Sequence, residues 1–271
     1  MNTAWNSLKP YLVYCAVVLI FFVPAIFLVD EMIDNSAEVS GITLPDESDK
    51  PDFAGILDVQ LKKQAFFDFL EPFVDDVNAQ IMSERERVQR IRNKVMTGNS
   101  LSGDDRRYLE NMAEVYELEA DNLASEEFLN VLLRRVDKIP ASLALAQAAN
   151  ESAWGTSRFS EDGNNFFGQW CYSDGCGLVP NRRREGASHE VRSFESTRES
   201  VAAYIHNLNT FPSYQMLRRI RQQLRQQNRP VDGLSLADGL ESYSSRGRDY
   251  IEEVQNMIYS NNLLSRDNTS L

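Results

Sequence analysis

Histidine and cysteine are scarce: the 271-residue chain carries two of the former and three of the latter. Scattered as they are, they form no zinc-ligand pattern. No glycine-rich, phosphate-cradling loop occurs, so nothing in the sequence points to nucleotide chemistry. Positive charge is also short, with 28 Lys and Arg against 40 Asp and Glu, a formal net charge of −12. A chain of that sign as a whole is not a nucleic-acid binder. No metal and no cofactor is expected.

What the chain does have is a stretch from Pro140 to Phe159, PASLALAQAANESAWGTSRF. Pro140 suits a first helical turn, Asp137 upstream is a candidate cap, and Gly155 suits the position past the last turn. The alanines permit close packing, so the helix is expected to be central. Leu143, Gln147, Asn150 and Glu151 share one face. Glu151 then lies near Trp154, Phe159 and Phe166. Desolvation there raises a carboxyl pKa, which is what a general acid requires. The competing reading is a surface glutamate that closes a helix.

Tyr11 to Val29 is an uncharged apolar run long enough to cross a bilayer. Lys9 precedes it, and Asp30, Glu31 and Asp34 follow, which places the N-terminus inside and the remainder outside. A cleaved signal peptide is the alternative; the run is long and no A-x-A site follows, so an anchor over residues 1–30 is expected. Residues 31–55 are acidic, carry Pro45 and Pro51, and read as a solvated tether. Residues 56–124 repeat apolar positions at helical spacing, among them Phe66, Phe69, Leu70, Phe73, Val77 and Ile81, and read as a helical membrane-proximal region. A break at Gly98 to Gly103 divides it. Residues 125–262 form the candidate functional domain, opening with a helix from Glu126 to Val136. Residues 263–271 are polar and read as a frayed tail.

After the Glu151 helix comes GNNFFGQW, Gly163 to Trp170. The order A-Q-x-x-x-E-S-x-W-G-x-S followed by N-x-F-G resembles the glucosaminidase domain of glycoside hydrolase family 73. The upstream helical region, PASLALAQAANESAWGTSRF, the FFGQWC run and the second cysteine resemble the Bax-like proteins. The resemblance covers about Phe66 to Ile258. It implies a mainly helical, lysozyme-like fold with a small β lobe. It also implies hydrolysis of the β-1,4 bond after N-acetylglucosamine in bacterial wall glycan. Matching residue by residue, Glu151 takes the general acid's place, Gln147 the glutamine of A-Q as a candidate substrate contact, and Asn165, Phe167 and Gly168 the N-x-F-G wall. Tyr243 matches a cleft tyrosine, and Tyr250 a helix tyrosine expected to be core.

Cys171 and Cys176 lie in the polar loop CYSDGC. Outside the cytoplasm a disulfide is expected, the rival being two free thiols. Gly177 to Phe194 reads as a hairpin, with strands 177–179 and 189–194 and a turn at Glu185–Gly186. Family members place a second acid in this lobe. Glu185 and Glu190 are the candidates, Glu185 preferred, although Arg182, Arg183 and Arg184 fill the arm before the turn. Helices are expected from Ser196 or Thr197 to Asn209, over 216–227, and from Ser235 and Tyr250. His206 reads as structural.

In the implied mechanism, sugar rings line up along Trp154, Phe167, Trp170 and Tyr243, and protonated Glu151 donates to the leaving glycosidic oxygen. A second carboxylate acting through water stands roughly 6.5–9.5 Å away, and a direct nucleophile about 5–5.5 Å. The substrate's own acetamido oxygen is a third route. Two rivals remain: a lytic transglycosylase, whose G-L-M-Q element is replaced here by FFGQW, and an inactive, membrane-tethered wall-binding scaffold. The expected partners are peptidoglycan strands and, through the N-terminal helix, the inner membrane, with the catalytic domain in the periplasm.

Overall fold

The structure, a computed structural model, describes residues 41–181, 183, 186 and 188–268. The expected span at Tyr11–Val29 and the candidate acid Glu185 lie outside them. Among the described residues no helix is long and apolar enough to cross a membrane.

The molecule is mainly helical. A long helix, α1 (Val59–Met96), is followed by α2 (Gly103–Val115), α3 (Glu126–Arg135), α4 (Ala141–Glu151) and α5 (Arg158–Gly163). Three short strands follow, β1 (Trp170–Cys171), β2 (Gly177–Leu178) and β3 (Glu190–Arg192), and then α6 (Thr197–Thr210), α7 (Gln215–Gln226), α8 (Gly233–Ala237) and α9 (Arg248–Ser260). The strands form an antiparallel sheet in the order β1-β3-β2, with Trp170 opposite Val191 and Leu178 on the other side of Val191. The expected hairpin is thus present with shorter strands, and Trp170–Cys171 adds a third strand that the sequence reading left in a loop.

Helix α4 is the centre. Every residue from Ala141 to Ala149 is buried, and α1, α8, α9 and the 3-10 turn Leu263–Asn268 pack around it. Small side chains make this approach possible: a Cβ on Gly233 of α8 would stand 2.1 Å from the Ser142 Oγ.

The cap of α4 is not the expected one. Pro140 offers no side chain to the free N–H groups. Asp267 supplies it from the far end of the chain, accepting Ser142 N at 2.8 Å and Ser142 Oγ at 2.7 Å. The tail expected to fray is therefore seated as far as 268, with Leu263 fully buried. Asp137, the cap expected from sequence, is instead buried among arginines, taking Arg225 at 2.5 Å, Arg85 at 3.4 Å and Arg221 at 3.7 Å.

The α1 stripe of Phe66, Phe69, Leu70, Phe73, Val74, Val77 and Ile81 is buried in the same core as α4 and α6. Two polar links fix its register. Asn78 exchanges hydrogen bonds with the Ile139 backbone at 2.8 and 3.0 Å, and Asp76 accepts Arg198 of α6 at 2.7 Å. Buried groups of this kind need partners, and here each has one.

The described part of the acidic stretch is also seated, where a solvated tether was expected. Glu47 accepts Thr197 N at 2.5 Å and Thr197 Oγ1 at 2.8 Å, at the start of α6. Lys50 Nζ donates to Ser160 O, Glu161 O and Asn164 Oδ1 at 2.9–3.2 Å, at the end of α5. Both charges complement the helix ends they meet. Phe53 is 3% exposed and meets Phe66 and Phe69 edge-on.

Candidate active site

Glu151 is the last residue of α4. Ser152 closes the helix: its hydroxyl donates to Ala148 O at 2.7 Å and accepts Gly155 N at 2.8 Å. The chain then doubles back through Ala153, Trp154 and Gly155, with φ of 51°, 62° and 76°. Two non-glycine residues in the left-handed region cost on the order of 1 kcal/mol or more each, and packing must hold them. It does so on both sides. A Cβ at Gly155 would stand 2.4 Å from the Phe53 ring. Trp154 meets Phe66 at 5.8 Å and Phe67 at 5.4 Å, with Lys63 Nζ 5.0 Å from its ring centre.

The Glu151 carboxyl is held by one line of polar groups. Tyr250 Oη donates to Glu151 Oε1 at 2.8 Å. Gln147 Nε2 donates to the Tyr250 oxygen at 2.9 Å, and Tyr204 Oη donates to Gln147 Oε1 at 2.7 Å. Aromatic stacking backs this line. Tyr243 lies over Tyr250 at 5.3 Å and Phe167 over Tyr204 at 3.9 Å, both nearly parallel. Tyr243 Oη donates to Phe167 O at 3.2 Å.

Glu151 as a residue is open to solvent, yet its carboxyl is crowded on the protein side. Burial raises its pKa, while the hydrogen bond from Tyr250 and the charge of Arg246 lower it; burial wins, and the net direction is upward. The shift follows the surroundings of the carboxyl and not those of the whole side chain.

The N-x-F-G loop is built by Asn165, which is buried. Its Nδ2 donates to Gln169 O at 2.9 Å and to Arg192 O at 2.8 Å, and its Oδ1 accepts Gln169 N at 3.0 Å. Gly168, at φ 65°, is thereby held against the acid: a Cβ on it would lie 3.8 Å from Glu151 Oε2.

Several residues expected to touch substrate face elsewhere. Gln147 is fully buried and Phe167 is 2% exposed, covered by Tyr204; neither has a surface to offer a sugar. Asn165 spends its amide on the loop backbone. Trp154 packs on α1 because its left-handed backbone turns it to Phe66 and Phe67. Glu190, a candidate second acid, is 7% exposed and accepts Gly175 N at 3.2 Å and Gly177 N at 2.9 Å. It braces the β lobe. Tyr243 is partly buried behind Tyr250, which stands on the acid in its place. Trp170 is 57% exposed and stacked on His189 at 4.3 Å, a flat apolar surface on the sheet.

Cys171 and Cys176 form a disulfide with a Cα–Cα distance of 6.2 Å. Glu190 lies close to both sulfurs, but sulfurs bonded to each other are not thiolate ligands, so this trio does not suit a metal. His206 pairs its Nε2 with Val115 O at 2.7 Å, the structural role expected. Tyr204, Tyr250 and Phe53 were missed as parts of the site. The signal for Tyr250 was the i, i+4 spacing of Gln147 and Glu151, which it bridges, while Tyr204 reaches Gln147 alone.

The Glucosaminidase family, described as mannosyl-glycoprotein endo-beta-N-acetylglucosaminidase, matches residues 131–263. Protein bax of Escherichia coli (strain K12) is 34% identical over 203 residues, covering 75% of this chain and 71% of that protein. The chain belongs to the Bax-like family of glucosaminidase-domain proteins. The matched range runs from within α3 to the start of the Asp267 turn, so it holds α4, the β lobe and α9, the elements that carry Glu151, Gly168 and Tyr250. Membership of this glucosaminidase family supports a glycosidase that binds glycan. No solved structure matches the chain.

Proposed function

We propose that the chain is a peptidoglycan hydrolase that cleaves the β-1,4 bond after N-acetylglucosamine, with Glu151 as general acid. The observation that carries this reading is the Glu151 carboxyl itself: at the rim of α4, pushed up by burial, and held in one orientation by Tyr250. A protonated carboxyl near neutral pH donates to the leaving glycosidic oxygen as the bond breaks. The exposed face of Trp170 supplies a stacking surface for a sugar ring.

Among the described residues, the groups that shift the Glu151 carboxyl are Tyr250 and Arg246, and neither is a carboxylic acid. With Glu190 committed to backbone amides, the developing charge is left to Glu185 or to the substrate's acetamido oxygen. Digestion of purified sacculi by the full chain, with mass analysis of the new ends, tests the reaction. Reducing N-acetylglucosamine ends support it. Anhydro-muramic ends, lighter by one water, make the chain a lytic transglycosylase instead.

We also propose that residues 11–29 anchor the chain in the inner membrane with the catalytic part in the periplasm. The apolar run, its flanking charges and a disulfide that needs an oxidising compartment support this. Protease accessibility in spheroplasts checks it: digestion of the catalytic part without lysis is expected, and protection would contradict it.

A further inference from the structure

We propose that Gln147 is a positioning residue that fixes the catalytic proton of Glu151 on Oε2, the oxygen beside Gly168. This rests on the reading of Glu151 as general acid.

A carboxamide has one accepting and one donating end. The buried Tyr204 hydroxyl donates to the accepting end at 2.7 Å. The donating end therefore faces Tyr250 and fills a lone pair of its oxygen at 2.9 Å. Tyr250 has a single hydrogen, and it goes to Glu151 Oε1 at 2.8 Å. Oε1 is thus an acceptor, and the acid hydrogen belongs on Oε2. Gly168 carries no side chain to cover that oxygen; a Cβ there would stand in van der Waals contact with it, 3.8 Å away.

The opposite amide orientation would turn the Tyr250 hydrogen toward Gln147. The Tyr250 oxygen would then accept the acid hydrogen of Glu151 and keep it from the substrate. It would also leave the carboxylate formed after transfer without its donor. The observed polarity serves both states. In the transfer, the Oε2–H bond breaks, and the leaving glycosidic oxygen takes the hydrogen and keeps the electron pair of its bond to the sugar carbon. Water then supplies hydroxide to that carbon and returns a proton to Oε2.

The titratable groups around this line are Tyr204 on α6, Tyr214 in the turn after it, Tyr243 before α9, Tyr250 on α9 and the neighbouring Arg246. Burial pushes all four tyrosines above their ordinary value, so they stay protonated through the working range.

The test is Gln147→Glu in the full chain, with kcat and KM measured against pH. Protonated, the introduced carboxyl accepts from Tyr204 and donates to Tyr250, as the amide does. Ionised, it accepts from both and reverses the line. The expected result is an alkaline limb of kcat displaced to lower pH than the parent's. On that limb the loss is about 10²-fold, the scale of general-acid catalysis, with recovery on acidification and KM unchanged. A profile that follows the parent's, or a loss equal at every pH, overturns the proposal. If Gln147→Glu does not fold by circular dichroism, Tyr204→Phe replaces it. Freed of its donor, the amide turns over, so kcat falls with KM unchanged; parental kcat overturns the proposal. Glu151→Gln separates the two levels. Full activity there sinks the general-acid reading. An inactive Glu151→Gln beside a parental Gln147→Glu profile sinks only the proton placement.

Discussion

The phenol of Tyr250 does two opposing things to Glu151. It fixes the carboxyl, and by donating to it favours the ionised form that the proposed reaction must avoid. Removing the donor in Tyr250→Phe therefore raises the Glu151 pKa further. The alkaline limb of kcat/KM is expected to move to higher pH while kcat itself drops, which a pH–rate profile checks. A second carboxyl, Glu84 on α1, is pushed up to about 7 by burial, against hydrogen bonds from Tyr116 at 2.8 Å and Gln80. Its folded pKa lies above its unfolded one, so the folded state holds the extra proton. Stability is then highest at acid pH and falls as pH rises through the window between about 4.5 and 7. Glu84→Gln is expected to remove about 2 kcal/mol of the loss between pH 5 and pH 8 in denaturant titrations. Which single residues matter was legible only in part. The position of Glu151 at the end of an alanine-rich helix and the pairing of the two cysteines in one polar loop are legible, and the structure has both. The sequence reads Gln147, Asn165 and Phe167 as lining the cleft and Glu190 as a candidate second acid. Spacing gives the face a residue lies on and not what covers that face, and here Tyr204, the loop backbone and two glycine amides cover them.

Among the elements, the segment Glu47–Phe53 has the widest reach. It meets the end of α5, the start of α6 and the turn behind Glu151. Phe53→Ala empties a site that is 3% exposed and is expected to cost about 3–5 kcal/mol, read as a drop in the thermal midpoint. Asp267→Ala strips the cap from α4 and is expected to cost about 1–2 kcal/mol by the same measurement. An unchanged midpoint in either variant would contradict the packing described. The longer helices were legible because each carries its own period, and in α2, α3 and α6 a serine caps the first turn; the six residues of α5 carry no period and are not expected from sequence. The strap and the tail were not. The strap's acidic, proline-bearing composition and the tail's polar one match a solvated chain, and their polar partners lie 110 to 150 residues away for the strap and 125 for Asp267. The strand Trp170–Cys171 escaped for a related reason: two residues carry no period, and only pairing with β3 makes them a strand.

At the scale of the whole molecule, one buried cluster runs from Phe53 to Leu263. The long α1 is part of the wall that supports α4, and α4 delivers the acid. A fragment holding only residues 125–268 would expose the faces that Phe66, Phe69 and Phe73 now cover. It is expected to lack a cooperative unfolding transition by circular dichroism; a sharp transition would show that α1 is dispensable. The net charge of −12 disfavours polyanions as a class, and under the proposed function recognition falls to local surfaces such as the exposed Trp170. The account comes down to whether the carboxyl at the end of α4 gives up its proton to a glycan. Release of soluble fragments from purified sacculi by Glu151→Gln, measured beside the parent with both shown to be folded, is the direct measurement. The account predicts no release above background from the variant, and release at the parental rate would contradict it.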